Sequence, residues 1–116
     1  MRPESLSDVA FHPDWLVPEW PAPPRVQAVF TTRAGGVSGG AYASLNLGRP
    51  SPDDAAAVDA NRRRLEQAIG LRPVFMSQVH GVDTVELKGA PDEQPLVADA
   101  CVSAVAGQVC TVRVAD

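Results

Sequence analysis

Thr31-Thr32-Arg33-Ala34-Gly35-Gly36-Val37-Ser38 is the stretch on which the chain turns from extended to looped and then to helical. Its upstream flank, Val26-Gln27-Ala28-Val29-Phe30-Thr31-Thr32, reads as a strand by its β-branched content. Gly35-Gly36 and then Gly39-Gly40 break that strand into a loop. Downstream, Ser51-Pro52-Asp53-Asp54 opens the most clearly marked helix. Ser51 is expected as the N-cap and Pro52 at the first helical position, with two acids where the helix dipole favours negative charge. Ala55, Val58, Leu65 and Ile69 fall at helical spacing and Gly70 supplies the stop, which predicts a helix over 52–69.

Beyond the helix the pattern changes to short extended runs. Val74 to Val79 reads as a strand, Gly81 allows a turn, and Asp83 to Leu87 reads as the next strand. Lys88 to Pro95 is a polar loop, Val97 to Ser103 a short strand, Ala106-Gly107 a turn and Gln108 to Val114 the last strand. One helix followed by several strands, without internal repeats, predicts an α+β fold whose sheet includes hairpins. Residues 1–24 hold Pro3, Pro13, Pro18, Pro21, Pro23 and Pro24, so they form a proline-rich arm rather than a helix. Trp15, Leu16, Val17 and Trp20 are expected to pin that arm, with residues 1–10 the looser part. Residues 25–116 then form the body.

Composition narrows the functional classes. The chain has 116 residues, enough for one modest domain, and only 5% aromatic residues, so its core rests on Val, Leu and Ala. Net charge is −4 and the isoelectric point about 5.0, which argues against nucleic acid as a partner because phosphates need a basic face. Arg62-Arg63-Arg64 follows Asp53, Asp54 and Asp59 on the predicted helix and reads as a solvated face. Cys101 and Cys110 do not make a secreted disulfide framework; two free, partly buried thiols are expected. No apolar run approaches the roughly 20 residues of a membrane span, and the early acidic residues do not suit a signal peptide. A cytoplasmic protein without membrane partners is therefore expected.

His80 is the leading candidate for chemistry. It ends a strand beside a glycine turn, where loops present side chains, and imidazole can bind a metal or move a proton near neutral pH. Taken alone, such a histidine is more often a hydrogen-bonded structural residue. His12 lies in the proline-rich arm and is expected to be exposed. Arg33, before Gly35-Gly36, could clamp a phosphate or carboxylate by two points, or could be an ordinary surface arginine. The loop is not a P-loop, because the Gly-Lys-Ser/Thr ending is absent. Asn46, between Leu45 and Leu47, could meet a ligand or stabilise a turn. Asp99 and Asp116 each follow an alanine, and either could orient a histidine, support a metal ligand or cap a turn. Eight residues between Cys101 and Cys110 is not a zinc-ligand spacing, so apolar packing suits them better.

Thr32-Arg33-x-Gly35-Gly36-Val37-Ser38, Tyr42-x-Ser44-Leu45-Asn46-Leu47-Gly48, Asn61-Arg62, Gln78-Val79-His80-Gly81 and Ala98-Asp99-Ala100 occur in this order. Together they closely resemble the YfiH-like family, also called the laccase-domain or peptidoglycan editing factor family, over about residues 18–116. The resemblance implies part of a four-layer α/β/β/α sandwich with a mixed sheet, in a chain about twice this long. It also implies a zinc-dependent purine nucleoside phosphorylase acting on adenosine, inosine and methylthioadenosine, with adenosine deaminase activity. Polyphenol oxidase activity and a role in peptidoglycan composition are also assigned within the family.

By the same resemblance, His80 matches a zinc ligand and catalytic position, and Arg33 and Asn46 match positions that line the substrate pocket. Ala115-Asp116 matches the start of an Ala-Asp-Cys motif whose cysteine would follow, and the later His-Ala-Gly-Trp-Arg-Gly motif is not in this sequence. One imidazole cannot hold zinc tightly, since a catalytic zinc keeps three protein ligands. Copper is a weaker expectation, because copper oxidase sites need His/Cys clusters that two histidines do not supply. The competing expectation is a non-catalytic binding or assembly module that self-associates through an unpaired sheet edge.

Overall fold

The computed structural model describes residues 11–48, 51–89 and 96–114. The chain divides after Gly70 into two compact units.

The first unit is organised by helix α1, Ala55–Ile69. It begins three residues later than the sequence suggests, and its cap is Asp54 rather than Ser51. The Asp54 carboxylate accepts from the Ala56 N–H at 3.2 Å. Ser51 is unavailable because its hydroxyl donates to the Gly48 carbonyl at 2.8 Å and accepts from the Asn46 side chain at 2.9 Å. Gly70 ends the helix as expected, at φ 81° with its N–H on the Glu66 carbonyl. Val58 and Leu65 are buried, whereas Ala55 of the expected apolar stripe is exposed.

The strand expected over 26–32 is not formed; Leu16 and Phe30 make a single antiparallel bridge there. β-branched content favours extension, but a ladder also needs a partner of matching length, and only one residue pair supplies it. Of the four residues expected to pin the arm, Trp15 does so with its side chain. It is buried, and its indole N–H donates to the Ala34 carbonyl at 2.8 Å. Leu16 is tied only through its backbone, and Leu16, Val17 and Trp20 leave their side chains exposed.

The second unit holds six short strands: β1 Pro73–Val74, β2 Met76–Ser77, β3 Thr84–Leu87, β4 Leu96–Val97, β5 Ala100–Ser103 and β6 Val109–Cys110. The hairpins expected between consecutive strands do not occur among the described residues. β1 pairs with β6, β2 with β4 and β3 with β5, and each pair is parallel. The run 74–79 is therefore split between two partners, and the last strand is confined to two residues. The polar loop expected over 88–95 lies mostly outside the described residues. Met76, Leu87 and Ala98 form the buried core of this unit. Burying a side chain such as Leu87 contributes about 1.5–3 kcal/mol.

A side chain extends this pairing where the ladder has ended. The Gln78 amide donates to the Arg113 carbonyl at 3.0 Å, and its carbonyl accepts the Arg113 N–H at 2.8 Å. The Arg113 guanidinium in turn donates to the Met76 carbonyl at 2.7 Å.

Candidate functional site

In the first unit, the motif residues around the glycine loop converge on Asn61. Its side chain is fully buried. The Asn61 carbonyl oxygen accepts the Val37 N–H at 2.8 Å. Its amide donates to the Ser38 hydroxyl at 2.9 Å and to the Asn46 backbone carbonyl at 2.8 Å. One helical side chain thus ties Gly36-Val37-Ser38 to Ser44-Leu45-Asn46. Gly36 is required at the closest approach, since a Cβ there would lie 2.1 Å from the Ser44 carbonyl oxygen and 2.6 Å from the Asn61 carbonyl oxygen. Arg62, the next motif residue, donates from Nε to the Leu47 carbonyl at 2.9 Å and is half-buried, so it is not part of a solvated arginine face. Arg63 and Arg64 are exposed, as that reading expected.

Arg33 and Asn46 sit on the edges of this arrangement. Arg33 is exposed; its Nε donates to the Ala43 carbonyl at 2.9 Å, and its own carbonyl accepts the Ser44 and Leu45 N–H groups. Asn46 is half-buried and engaged within its loop. Its amide donates to the Ser51 hydroxyl and, at 3.2 Å, to the Asp53 carboxylate, while its carbonyl accepts the Gly48 N–H. Asp53 also accepts the Ser38 hydroxyl at 2.6 Å. That hydrogen bond, opposed by partial desolvation and aided by Asn46 and the Asp54 N–H, holds the Asp53 carboxyl below its ordinary value.

A separate open cleft of about 390 Å³ in the same unit is lined by His12, Trp15, Gly35, Arg64 and Gln67, and by Ala68. His12 is half-buried there instead of exposed. It stacks on Trp15 with ring centroids 6.4 Å apart and accepts the Asp14 N–H at 3.0 Å.

His80 belongs to the second unit, and the structure brings it together with Asp99. The β3–β5 register starts at Thr84 and Ala100. Asp99 therefore stands just before its strand, opposite Asp83, and its side chain reaches back to the turn. The carboxylate accepts the Gly81 N–H at 2.7 Å, the His80 N–H at 2.8 Å and the Val79 N–H at 3.1 Å. Its carboxyl lies below the ordinary value. The Gly81 hydrogen bond is the largest cause; desolvation opposes it, and the His80 and Val79 hydrogen bonds and the His80 charge assist. His80 adopts φ 61°, the left-handed region, and is exposed. Of the roles the sequence raised for Asp99, capping the turn is the one its hydrogen bonds display directly. Ala115 and Asp116 lie outside the described residues.

The described residues do not make up a complete zinc or copper site. Among the described residues no three of His, Cys, Asp or Glu converge as a metal would require. Cys101 is half-buried and Cys110 exposed, so only the first is the partly buried thiol expected. Desolvation of the sulfur and the hydrogen-bonded Cys101 thiol push the Cys110 thiol up to about 11, so it is protonated at neutral pH. No described helix is long and apolar enough to cross a membrane.

Two kinds of comparison meet on this architecture. Residues 27–116 match the family model described as multi-copper polyphenol oxidoreductase laccase. The chain therefore belongs to the YfiH-like, laccase-domain family, and its α+β content agrees with that fold. It is similar to a purine nucleoside phosphorylase of Pseudomonas aeruginosa, 51% identical over 102 residues that cover 88% of this chain and 41% of that protein. It is likewise similar to the purine nucleoside phosphorylase YfiH of Escherichia coli, 46% identical over 103 residues, covering 87% of this chain and 42% of the relative. A crystal structure of a DUF152 protein from Neisseria meningitidis superposes with a TM-score of 0.66 at 38% identity, over 75% of this chain and 39% of that one. The chain thus spans about two-fifths of the length of these relatives.

Proposed function

We propose that this chain contributes the N-terminal part of a single YfiH-like domain that acts as a zinc-dependent purine nucleoside phosphorylase, with nucleoside and inorganic phosphate as substrates. Adenosine, inosine and methylthioadenosine are the nucleosides, and adenosine deamination is a second reaction of the same site, in a cytoplasmic enzyme. The observation that carries the reading is His80, exposed on a turn braced by Asp99, at the Gln-Val-His-Gly position of a chain whose relatives are named purine nucleoside phosphorylases. In phosphorolysis a phosphate oxygen bonds to the anomeric carbon as the bond from that carbon to the base nitrogen breaks. His80 would supply one imidazole to a zinc ion, whose remaining ligands would come from outside the described residues and whose charge would polarise a bound oxygen. Arg33, exposed beside the glycine loop, offers guanidinium donors to a phosphate oxygen. Asn46, its side chain bonded to Ser51, Asp53 and Gly48, fixes its own loop as part of the lining of the nucleoside pocket.

The test is a chimera in which residues 27–116 replace the matching segment of the Pseudomonas relative. His80→Ala should abolish both phosphate-dependent release of hypoxanthine from inosine and stoichiometric zinc. Retention of both would sink the assignment.

A second reading, an assembly module, is favoured by the apolar surface of the second unit. Val97, Val102, Val112 and Val114 are each more than half exposed. Sedimentation of the 116-residue chain decides this reading: a concentration-independent monomer removes it.

A further inference from the structure

The geometry points to Asp99 as the positioning residue for His80: its carboxylate holds residue 80 in the left-handed backbone conformation that sets the direction of the imidazole. This rests on His80 being a site residue, as proposed above.

A left-handed conformation is disfavoured for any residue with a Cβ, because Cβ crowds the adjacent carbonyl oxygen. His80 at φ 61° is the one non-glycine residue with positive φ among those described. Something must hold it there. Successive N–H groups around a left-handed residue form a concavity that attracts an anion. Here the N–H groups of Val79, His80 and Gly81 all point to the two oxygens of Asp99. Hydrogen bonds to an ionised acceptor are the stronger kind. Asp99 is held in turn. Its own N–H meets the Asp83 carbonyl at 3.4 Å, Ala98 before it is fully buried, and Ala100 after it starts the β5 ladder.

The contacts are to the backbone of the turn; no hydrogen bond runs from the carboxylate to the imidazole. Asp99 therefore acts on where the Cα–Cβ bond of His80 points. If the turn relaxed to the extended or right-handed region, the imidazole would leave from a different direction while the surrounding ladders stayed formed. A Cβ at position 81 would lie 3.5 Å from the nearest Asp99 oxygen, an ordinary contact, so the brace does not depend on glycine there.

The test compares the 116-residue chain with Asp99→Asn, His80→Gly and the double variant. Asparagine keeps the shape but directs an NH2 group at N–H donors. In Asp99→Asn the Cα and Cβ chemical shifts of His80 should lose their left-handed signature. The amides of residues 79–81 should exchange roughly tenfold faster or more, while Met76 and Leu87 resonances remain native. Glycine adopts the left-handed region without crowding. The fall in melting temperature caused by Asp99→Asn should therefore shrink when residue 80 is glycine. If Asp99→Asn alone fails to fold, adding His80→Gly should restore folding. An unchanged His80 signature in Asp99→Asn, or an equal loss with histidine and glycine at position 80, would overturn the proposal. These readouts need neither metal nor turnover, so they stand apart from loss of phosphorolysis in the chimera.

Discussion

The Gly35–Ser38 loop and the Val79–Gly81 turn are each gripped through several hydrogen bonds by a polar side chain from a distant part of the chain, Asn61 in the first case and Asp99 in the second. Asn61 is neutral and completely buried, and it both donates and accepts. Asp99 is charged and half-exposed, and it only accepts. A buried amide must satisfy every polar atom internally, so it draws segments inward and closes them on one another. A carboxylate at the surface retains its charge and can collect several backbone donors while leaving the intervening side chain free to project. The first arrangement buries Ser38, Leu45 and Asn61 itself; the second displays His80.

The comparison breaks most forcefully at Gly36. Gly36→Ala would drive a methyl group into the Ser44 carbonyl and the Leu45 Cα, both backbone atoms. The expected loss is about 4 kcal/mol, in the range reserved for severe steric lesions, measured by urea denaturation. Asn61→Ala comes next. It would leave the Val37 N–H and the Asn46 carbonyl without their partner. A loss of about 2–3 kcal/mol is expected, read from the same unfolding curves. If Asn61→Ala were neutral, the contrast between the two regions would collapse.

Acid sharpens the contrast in a gentler way. Asp53 and Asp99 both have folded carboxyls below the ordinary value of 3.8. A depressed value means their stabilisation is fully present above that pH and is lost as pH falls through the lowered value. Stability should thus hold between pH 5 and 8 and drop below about pH 4. Amide exchange at residues 79–81 should quicken there before exchange at Val37, whose acceptor is a neutral amide. Simultaneous loss at both places would show that the loop and the turn unfold as one.

Helix α1 was legible because its stripe and stop are local: Val58, Leu65 and Gly70 need only their neighbours. Its start was not, because Ser51 and Asp53 are claimed by Asn46, Gly48 and Ser38. That competition is invisible along the helix itself. The strands were located more truly than they were paired. Short parallel ladders are chosen by partners 16 to 36 residues away, and nothing in the runs themselves names those partners. The motif order picked out His80 and Asp99, yet their meeting depends on the β3–β5 register. Asn61 was visible as a motif residue without a role; an amide at a position that continues the buried Val58–Leu65 face was the signal for one.

Gln78 carries a further consequence. Its amide presents a donor and an acceptor to Arg113, as a peptide group would. The neighbouring β1–β6 ladder contains only two residue pairs, too short a zipper to distinguish correct alignment from a one-step slip. Gln78 works as a key that fits one tooth. In a slipped strand its two complementary groups would face the wrong partners, so misalignment is penalised at the moment of closure. Glutamate would lack the donor, and methionine both groups. Spelling at position 78 is therefore part of how the chain proofreads its own alignment.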